Sequence, residues 1–209
     1  KSTTIKMLTG IVQPTAGDAR LLGIPLTRQP LQIKRRIGVV PENLNLYERL
    51  TANEYLELVG RLHGLSADDI TARRSQLLET LDLADRSDNA SVDYSHGMKK
   101  KLALAAALIP NPELLFLDEP FEGVDAVSSA VLRDTLKRCV QRGATVFLTS
   151  HVLEIVEKLC TDVGIVAQGR LVHQSTMDEI RQGGSLEQRF LEVVGSGHIE
   201  RQKLSWLEG

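Results

Sequence analysis

The chain has 209 residues, of which 42% are hydrophobic and 25% are charged, a composition typical of a globular protein of one or two domains. Its net charge of −2 provides no overall basic field, which argues against nucleic acid as a partner. Its longest apolar run, residues 102–109, is far shorter than the roughly 20 residues of a membrane-spanning helix, so we expect the chain alone to form no membrane pathway.

The first half of the chain combines short elements with a long helical stretch. The predicted elements are a helix at 2–8, strand and turn segments at 17–26, a strand at 36–40 and a helical stretch from 51 to about 83. Thr51 and Glu54 have the spacing of a capping box, which starts a helix by pairing its first N–H groups with side-chain oxygens. We expect residues 51–96 to form an inserted helical subdomain.

The second half of the chain alternates strands and helices. The predicted elements are a helix at 98–109, strands at 114–117 and 145–149, helices at 126–142 and 152–159, and a hairpin of 163–167 with 170–173. This alternation predicts an α/β fold with a mostly parallel sheet flanked by helices and an antiparallel β edge. We assign residues 1–180 to one domain and 181–209 to a C-terminal tail that is helical in part.

Lys1, Ser2, Thr3 and Thr4 open the first predicted helix. A helix N-terminus presents unpaired N–H groups and positive potential to an anion. A lysine there can reach terminal phosphates, and the serine that follows can bind Mg²⁺. Lysine followed by serine at a chain start is more often an ordinary solvated terminus, so this signal is weak by itself.

Two adjacent carboxylates, Asp118 and Glu119, follow the apolar strand at 114–117. Sheets of α/β proteins bind ligands at the carboxyl ends of their strands. Asp118 suits Mg²⁺ binding, and Glu119 suits the polarisation of an attacking water. An acidic loop without a chemical role is an equally good interpretation of these residues taken alone.

Two further segments carry candidate phosphate donors. His151 follows the strand at 145–149, where it can donate a hydrogen bond to a terminal phosphate, although a lone histidine there is more often structural or exposed. Ser95 and the N–H group of Gly97 lie at the predicted start of a helix. The three lysines at 99–101 oppose the helix dipole, and we expect them to form a solvated basic face rather than an anion site.

Taken together, these segments resemble the ATP-binding cassette of ABC transporters over residues 1 to about 180. Each motif alone is a weak signal, but their order along the chain is specific to this family. The family's signature segment, here residues 94–98, stands shortly before the Walker B strand. The matching positions are Lys1, Ser2, Thr3 and Thr4 at the end of Walker A, Ser95, His96 and Gly97 in the signature, Asp118 and Glu119 at Walker B, Asp125 in the D-loop, and the switch histidine His151.

The resemblance implies a P-loop NTPase-like fold and an ATPase that uses ATP and Mg²⁺. It implies that Glu119 and His151 are catalytic, and that Ser2, Asp118 and Glu42 serve the metal. It also implies a head-to-tail dimer with a second cassette and a separate integral membrane permease, which places the chain on the cytoplasmic face of the membrane. The signature with its following lysines is similar to those of some bacterial exporter cassettes, so we expect export.

Three departures from the family pattern lead to further expectations. The glycines of the phosphate loop and the strand before them do not precede Lys1, so we expect a chain truncated at its N-terminus that binds ATP poorly and is less stable than a complete cassette. Glu42 stands where the family usually has glutamine, and an ionised carboxylate repels a phosphate unless a cation lies between them. His96 replaces the first glycine of the signature pair, which adds bulk and a possible phosphate donor.

Two other functions stay open at this point. One is a soluble cassette that acts on ribosomes or DNA, although such proteins usually have two cassettes or long insertions. The other is a catalytically weak cassette that serves as an interaction module. Glu42 and His96 keep the second alternative open, whereas the acids at 118 and 119 and His151 argue against it.

Overall fold

The computed structural model describes residues 1–195 and divides the chain into two compact units, Lys1–His151 and Val152–Gly209. The described part of the predicted tail at 181–209 includes one helix, and residues 196–209 lie outside the described residues. No helix within residues 1–195 is long and apolar enough to cross a membrane.

The first unit contains a parallel sheet surrounded by helices. Its elements are α1 (Ser2–Leu8), β1 (Arg20–Leu21), β2 (Ile24–Pro25), α2 (Pro30–Arg36), β3 (Ile37–Val40), α3 (Ala52–Leu62), α4 (Ala67–Thr80), two 3₁₀ turns (Ala84–Arg86 and Ser91–Asp93), α5 (His96–Leu108), β4 (Leu114–Asp118), α6 (Ala126–Gln141) and β5 (Thr145–Thr149). Strands β3, β4 and β5 pair in that order and run parallel, whereas β1 and β2 form an antiparallel pair. The predicted α/β fold is confirmed.

The central strand β4 is buried along its whole length. Its apolar side chains meet layers on both faces of the sheet, as expected for a strand in the middle of a parallel sheet. The register places Leu117 beside Val40, and Asp118 beside Thr149. The carboxyl ends of the three strands therefore lie at one edge of the sheet.

Helices α1 and α5 are fixed to this sheet in different ways. Ile5 of α1 is buried in a cluster with Ile37, Leu114 and Phe116, which holds the helix against the sheet. Helix α5 approaches β3 closely, since a Cβ atom on Gly38 would lie only 2.3 Å from the carbonyl oxygen of Ala107. This packing fixes both helices against the sheet.

The helical stretch at 51–96 contains α3, α4 and the two 3₁₀ turns. The predicted capping box is confirmed: the Glu54 N–H donates to Thr51 Oγ1 at 3.1 Å, and the Thr51 N–H donates to Glu54 Oε2 at 2.8 Å. Leu56 and Leu78 are buried within this stretch. These two leucines belong to its core, whereas Leu62 at the end of α3 is 76% exposed.

The second unit, as far as residue 195, is built on an antiparallel hairpin. Its elements are α7 (Leu153–Leu159), β6 (Asp162–Ala167), β7 (Arg170–Thr176), α8 (Met177–Gly183) and α9 (Leu186–Gly195). The hairpin of β6 and β7 is confirmed and contains an irregularity between Ile165 and Val166. Met177, Ile180 and Leu186 are buried in one cluster, so the three helices and the hairpin share a core.

Candidate functional site

The carboxyl edge of the β3–β4–β5 sheet brings together the polar residues that follow each strand. Glu42 lies shortly after β3, Glu119 directly after β4, and His151 shortly after β5. Lys1, the N-cap residue of α1, reaches the same edge. Ligands of parallel α/β sheets bind at this position, outside the carboxyl ends of the strands.

The Glu119 carboxylate lies between two nitrogen-bearing side chains. Lys1 Nζ donates to Glu119 Oε1 at 3.0 Å, and it also donates to the carbonyl oxygen of Ser150 at 3.0 Å. His151 Nδ1 lies 3.0 Å from Glu119 Oε2, and the His151 N–H donates to the same oxygen at 3.2 Å. The Glu119 side chain is only 9% exposed, and its carboxylate faces the more exposed side chains of Lys1 and His151.

The backbone of Glu119 has an unusual conformation that is held from both sides. Its φ of 49° lies in the left-handed region, which is uncommon for residues other than glycine and occurs frequently at functional sites. Its N–H group donates to the carbonyl oxygen and to Oγ1 of Thr149, both at 3.2 Å. Its carbonyl oxygen accepts a hydrogen bond from Lys100 Nζ at 2.9 Å.

The lysines at 99–101 do not form a single basic surface. Lys100 and Lys101 are buried, with exposed fractions of 2% and 4%, and Lys101 Nζ lies 3.4 Å from the Asp82 carbonyl and carboxylate oxygens. Lys99 is partly exposed and pairs with Glu48 at 3.2 Å. The expected solvated face is therefore wrong for Lys100 and Lys101, because α5 turns these two side chains into the unit and each ammonium group finds oxygen acceptors.

Burial lowers the pKa of Lys100 because an apolar environment disfavours the ammonium form. Four acids oppose this effect by favouring the charged form. They are Glu122, Glu119, Glu42 and Asp118. Lys100 is thus the cation buried behind the acidic edge of the sheet.

Three oxygen-bearing side chains at the sheet edge are suited to a hard metal ion. Ser2 Oγ donates to Glu42 Oε2 at 3.2 Å, which places the hydroxyl and this carboxylate side by side. Asp118 is buried, and its Oδ1 accepts a hydrogen bond from Thr149 Oγ1. Within residues 1–195, no group of three or more His, Cys, Asp or Glu residues is arranged to hold a metal alone. The donor set fits Mg²⁺, which usually binds one or two carboxylates and completes its shell with waters and phosphates.

A second group of predicted residues lies where α5 begins. Ser95 caps this helix, since its Oγ accepts the Met98 N–H at 3.2 Å. His96 Nε2 lies 3.2 Å from the Glu122 carbonyl oxygen. Because a carbonyl oxygen only accepts, Nε2 carries the proton, and Nδ1 of the neutral ring is left as an acceptor.

Gly97 is confined by the start of α6. A Cβ atom at this position would lie 3.2 Å from Asp125 Oδ2 and 3.2 Å from Ser128 Oγ. Asp125 is the N-cap of α6, where its Oδ1 accepts the Ser128 N–H at 2.8 Å. Hydrogen bonds from Ser128 hold the pKa of Asp125 below its usual value.

Comparison with known proteins agrees with this arrangement. The family model described as ABC transporter matches residues 1–122, which is more than half of the chain. This chain belongs to the ABC transporter family. The cassette is also similar to a solved structure titled "Structure of ATP binding subunit of ABC transporter", with 32% identity, a TM-score of 0.85, and coverage of 92% of this chain and 82% of the other.

Two curated relatives are named as ATP-binding proteins. The linearmycin resistance ATP-binding protein LnrL of Bacillus subtilis (strain 168) is 37% identical over 88% of this chain and 60% of its own length. The Nod factor export ATP-binding protein I of Cupriavidus metallidurans (strain ATCC 43123 / DSM 2839 / NBRC 102507 / CH34) is 36% identical over 86% of this chain and 59% of its own length. The chain thus spans less than two thirds of the length of these relatives.

The structure brings together the residues predicted to form the end of Walker A, Walker B and the switch histidine. That group comprises Lys1, Ser2, Glu42, Asp118, Glu119 and His151. Thr3 and Thr4 are exposed in the first turn of α1. The residues predicted for the signature and the D-loop form a separate group at the starts of α5 and α6. They are Ser95, His96, Gly97 and Asp125.

Two residues that were not predicted as site residues, Lys100 and Thr149, contact the candidate site from behind. Lys100 stands four positions before the buried Leu104, on the apolar side of α5, and this spacing was the available signal. Thr149 is the last residue of β5 and lies directly beside Asp118. Its position follows from the strand register, which a single sequence does not contain.

Proposed function

We propose that this chain is the ATP-binding and ATP-hydrolysing part of an ABC transporter that drives export through a separate membrane permease. One observation carries the proposal: the Glu119 carboxylate lies 3.0 Å from Lys1 Nζ and 3.0 Å from His151 Nδ1 at the carboxyl edge of the sheet. A phosphate-binding cation, a base and a histidine are thereby gathered at one point, as phosphoryl transfer to water requires.

Lys1 serves as the cation that binds the terminal phosphates. Its ammonium group pairs with Glu119 and the Ser150 carbonyl, and the γ-phosphate of ATP competes for the same ammonium. When Lys1 turns to the phosphate, Oε1 of Glu119 becomes available to accept a hydrogen bond from the attacking water. Binding of the phosphate to Lys1 and release of the Glu119 carboxylate from Lys1 then occur in one exchange of hydrogen-bond partners.

Glu119 and His151 divide the catalytic work. Glu119 orients the water and accepts its proton, a role for which a buried and positioned carboxylate is suited. Because a carboxylate only accepts, His151 Nδ1 donates to Glu119 Oε2. In the imidazolium form the other ring nitrogen also donates, and it can then stabilise the charge on the γ-phosphate.

Ser2, Glu42 and Asp118 would hold Mg²⁺, which when bound neutralises charge on the β- and γ-phosphates. Two features support this assignment. Glu42 stands where the family usually has glutamine, and it contacts Ser2 Oγ at 3.2 Å. Because the Ser2 hydroxyl donates its proton to Glu42, the lone pairs of the Ser2 oxygen can bind a cation.

We assign the signature residues to the nucleotide of a second cassette. Ser95 and His96 are exposed at the start of α5, where they can meet another molecule. Gly97 is buried behind them, and its close approach to Asp125 fixes the spacing between the starts of α5 and α6. In a head-to-tail dimer these four residues would complete the site built around Lys1 of the other cassette.

The permease would bind a groove next to the catalytic edge. The groove has a volume of about 350 Å³ and is lined mainly by apolar side chains from the end of β3, the loop after it, α3 and α5. Pro41, Leu44 and Tyr55 are among them, and Pro41 directly precedes Glu42. A partner bound in this groove would therefore respond to movement of Glu42. The names of the two relatives, one for resistance and one for export, support export as the direction of transport.

The proposed function is tested by Glu119→Gln in the full-length protein. We expect loss of ATP turnover by at least about 10²-fold, because the amide cannot accept the proton, while ATP affinity stays within about twofold. ATPase rates and ATP binding by calorimetry measure the two effects. Glu113→Gln is the matched control, since Glu113 precedes the same strand and pairs with Arg36 away from the site. Equal loss of binding and turnover in Glu119→Gln would make Glu119 a structural residue and contradict the proposal.

A membrane fractionation experiment separates transport from the soluble alternative. The full-length protein, expressed in its native host, is expected in the membrane fraction together with an integral membrane protein. Recovery with ribosomes or DNA would instead favour a soluble cassette. An inactive wild-type protein would favour the interaction module.

A further inference from the structure

Lys100 is a buried lysine whose ammonium group has one specific target. Its carbon chain lies among Val40, Leu104, Leu117 and Pro120, and its exposed fraction is 2%. Its Nζ donates to the Glu119 carbonyl oxygen at 2.9 Å. Burying an ammonium group is costly unless it is hydrogen-bonded and lies near opposite charge, so the site has to compensate this cost.

The target of this hydrogen bond is the residue with the strained backbone. Glu119 has a φ of 49°, a conformation that is unfavourable for a residue with a side chain. Thr149 holds its N–H group from β5, and Lys100 holds its carbonyl oxygen from α5. The conformation that aims the carboxylate at Lys1 and His151 is therefore fixed at both of its peptide groups.

The charges around Lys100 agree with a role at this site. Glu122, Glu119, Glu42 and Asp118 all favour its ammonium form and thereby offset part of the effect of burial on its pKa. Lys101, the next residue, is equally buried, but it faces Asp82. Both lysines are therefore buried side chains of the same helix, but of the two only Lys100 contacts the candidate active site.

We propose that Lys100 is a positioning residue that holds the Glu119 backbone in its left-handed conformation and so aims the carboxylate at the reacting water. The inference rests on the proposed function, in which Glu119 is the catalytic carboxylate. It also links two motifs within one chain, since Lys100 follows Ser95 in the helix that begins at the signature. Movement of α5 when a second cassette binds would be transmitted to Glu119 by this hydrogen bond.

The test compares Lys100→Met with Lys101→Met in the full-length protein. Methionine keeps most of the apolar chain and removes the ammonium group in both variants. We expect Lys100→Met to lower kcat by about 10²-fold, because small displacements of a catalytic group have effects of this size. The KM for ATP should stay within about threefold, since the phosphate-binding groups are untouched. Lys101→Met should keep kcat within about threefold.

Rescue by a conservative change distinguishes positioning from packing. Lys100→Arg keeps a cationic donor and is expected to recover most of the kcat that Lys100→Met loses, whereas Lys100→Leu is expected to behave like Lys100→Met. If Lys100→Met does not fold, Lys100→Leu takes its place in the comparison. A wild-type kcat in whichever of these apolar variants folds would overturn the inference, and so would equal losses in the Lys100 and Lys101 variants.

A crystal structure of Lys100→Met provides a readout that does not depend on turnover. We expect φ of Glu119 to leave the left-handed region and its carboxylate to leave His151. An unchanged Glu119 would overturn the inference. Glu119→Gln, measured in the same series, separates the inference about Lys100 from the proposed function. If Glu119→Gln is inactive and Lys100→Met is fully active, the inference fails while the proposed function stands. If Glu119→Gln stays active, the proposed function fails, and the crystal structure alone decides whether Lys100 positions this residue.

Discussion

At the scale of single residues, Glu42 is the position where this chain differs most clearly in charge from the family pattern. Its carboxylate accepts the Ser2 hydroxyl at 3.2 Å, so a negative group stands beside the residue that would bind Mg²⁺. A carboxylate attracts the cation and repels the phosphates, whereas an amide can donate to a phosphate oxygen. In the proposed site, the identity of this one side chain would therefore shift the balance between metal binding and nucleotide binding.

Replacing Glu42 by glutamine is expected to tighten ATP binding about fivefold, because it removes a nearby negative charge that is partly screened by solvent. Calorimetric titration of the full-length protein with ATP and Mg²⁺ measures this change. Glu48→Gln serves as the control, since Glu48 is also exposed and pairs with Lys99. An unchanged ATP affinity and turnover in Glu42→Gln would show that residue 42 does not face the phosphates.

The residue scale also shows where prediction from sequence failed. Glu119 and His151 could be identified because each follows an apolar strand, and parallel strands end at a common edge. Lys100 was expected in solvent because lysine is rarely buried. Its long apolar stem packs in the core while its ammonium group reaches one carbonyl oxygen, and this depends on tertiary contacts that the sequence alone does not specify.

At the scale of helices and strands, local signals predicted most elements correctly. The capping box at Thr51 and the apolar runs of β4 and β5 correspond to the observed elements. Helices α2 and α8 were not predicted, whereas α1 and α7, which also have seven residues, were, so the sequence signal of helices this short is unreliable. Such helices form where packing stabilises them, as Ile33 does for α2.

The contribution of the Thr51 cap at the start of α3 to stability can be tested by substitution. Thr51→Ala removes the oxygen that accepts the Glu54 N–H at 3.1 Å, and we expect the free energy of unfolding to fall by about 1 kcal/mol. Urea denaturation followed by circular dichroism measures the change. Thr71→Ala is the matched control, because Thr71 Oγ1 bonds only within the body of α4, to the Ala67 carbonyl. Equal effects of the two substitutions would contradict the capping role.

At the scale of the whole molecule, the candidate site is divided between two groups of residues. One group surrounds Glu119 and the other surrounds Ser95. If both serve the same reaction, a second cassette must bring its Ser95 to the phosphates bound at Lys1. The resulting dimer would form only when nucleotide fills the space between the two surfaces.

ATP is expected to convert the Glu119→Gln variant of the full-length protein into a dimer, because bound ATP that is not hydrolysed keeps the two surfaces together. Adding Ser95→Arg should abolish this dimer, since a long side chain would occupy the place of the phosphate. Light scattering after size exclusion measures the mass, and Thr80→Arg on the exposed end of α4 is the control. A dimer that persists with Ser95→Arg would exclude the head-to-tail arrangement.

Thr149 connects both acids at the end of β4. Its single hydroxyl donates to the Asp118 carboxylate and accepts the N–H group of Glu119. In the proposed reaction, this hydroxyl would link the acid assigned to the metal with the acid assigned to the attacking water. A change at this threonine would then alter cation placement and attack on the phosphate together.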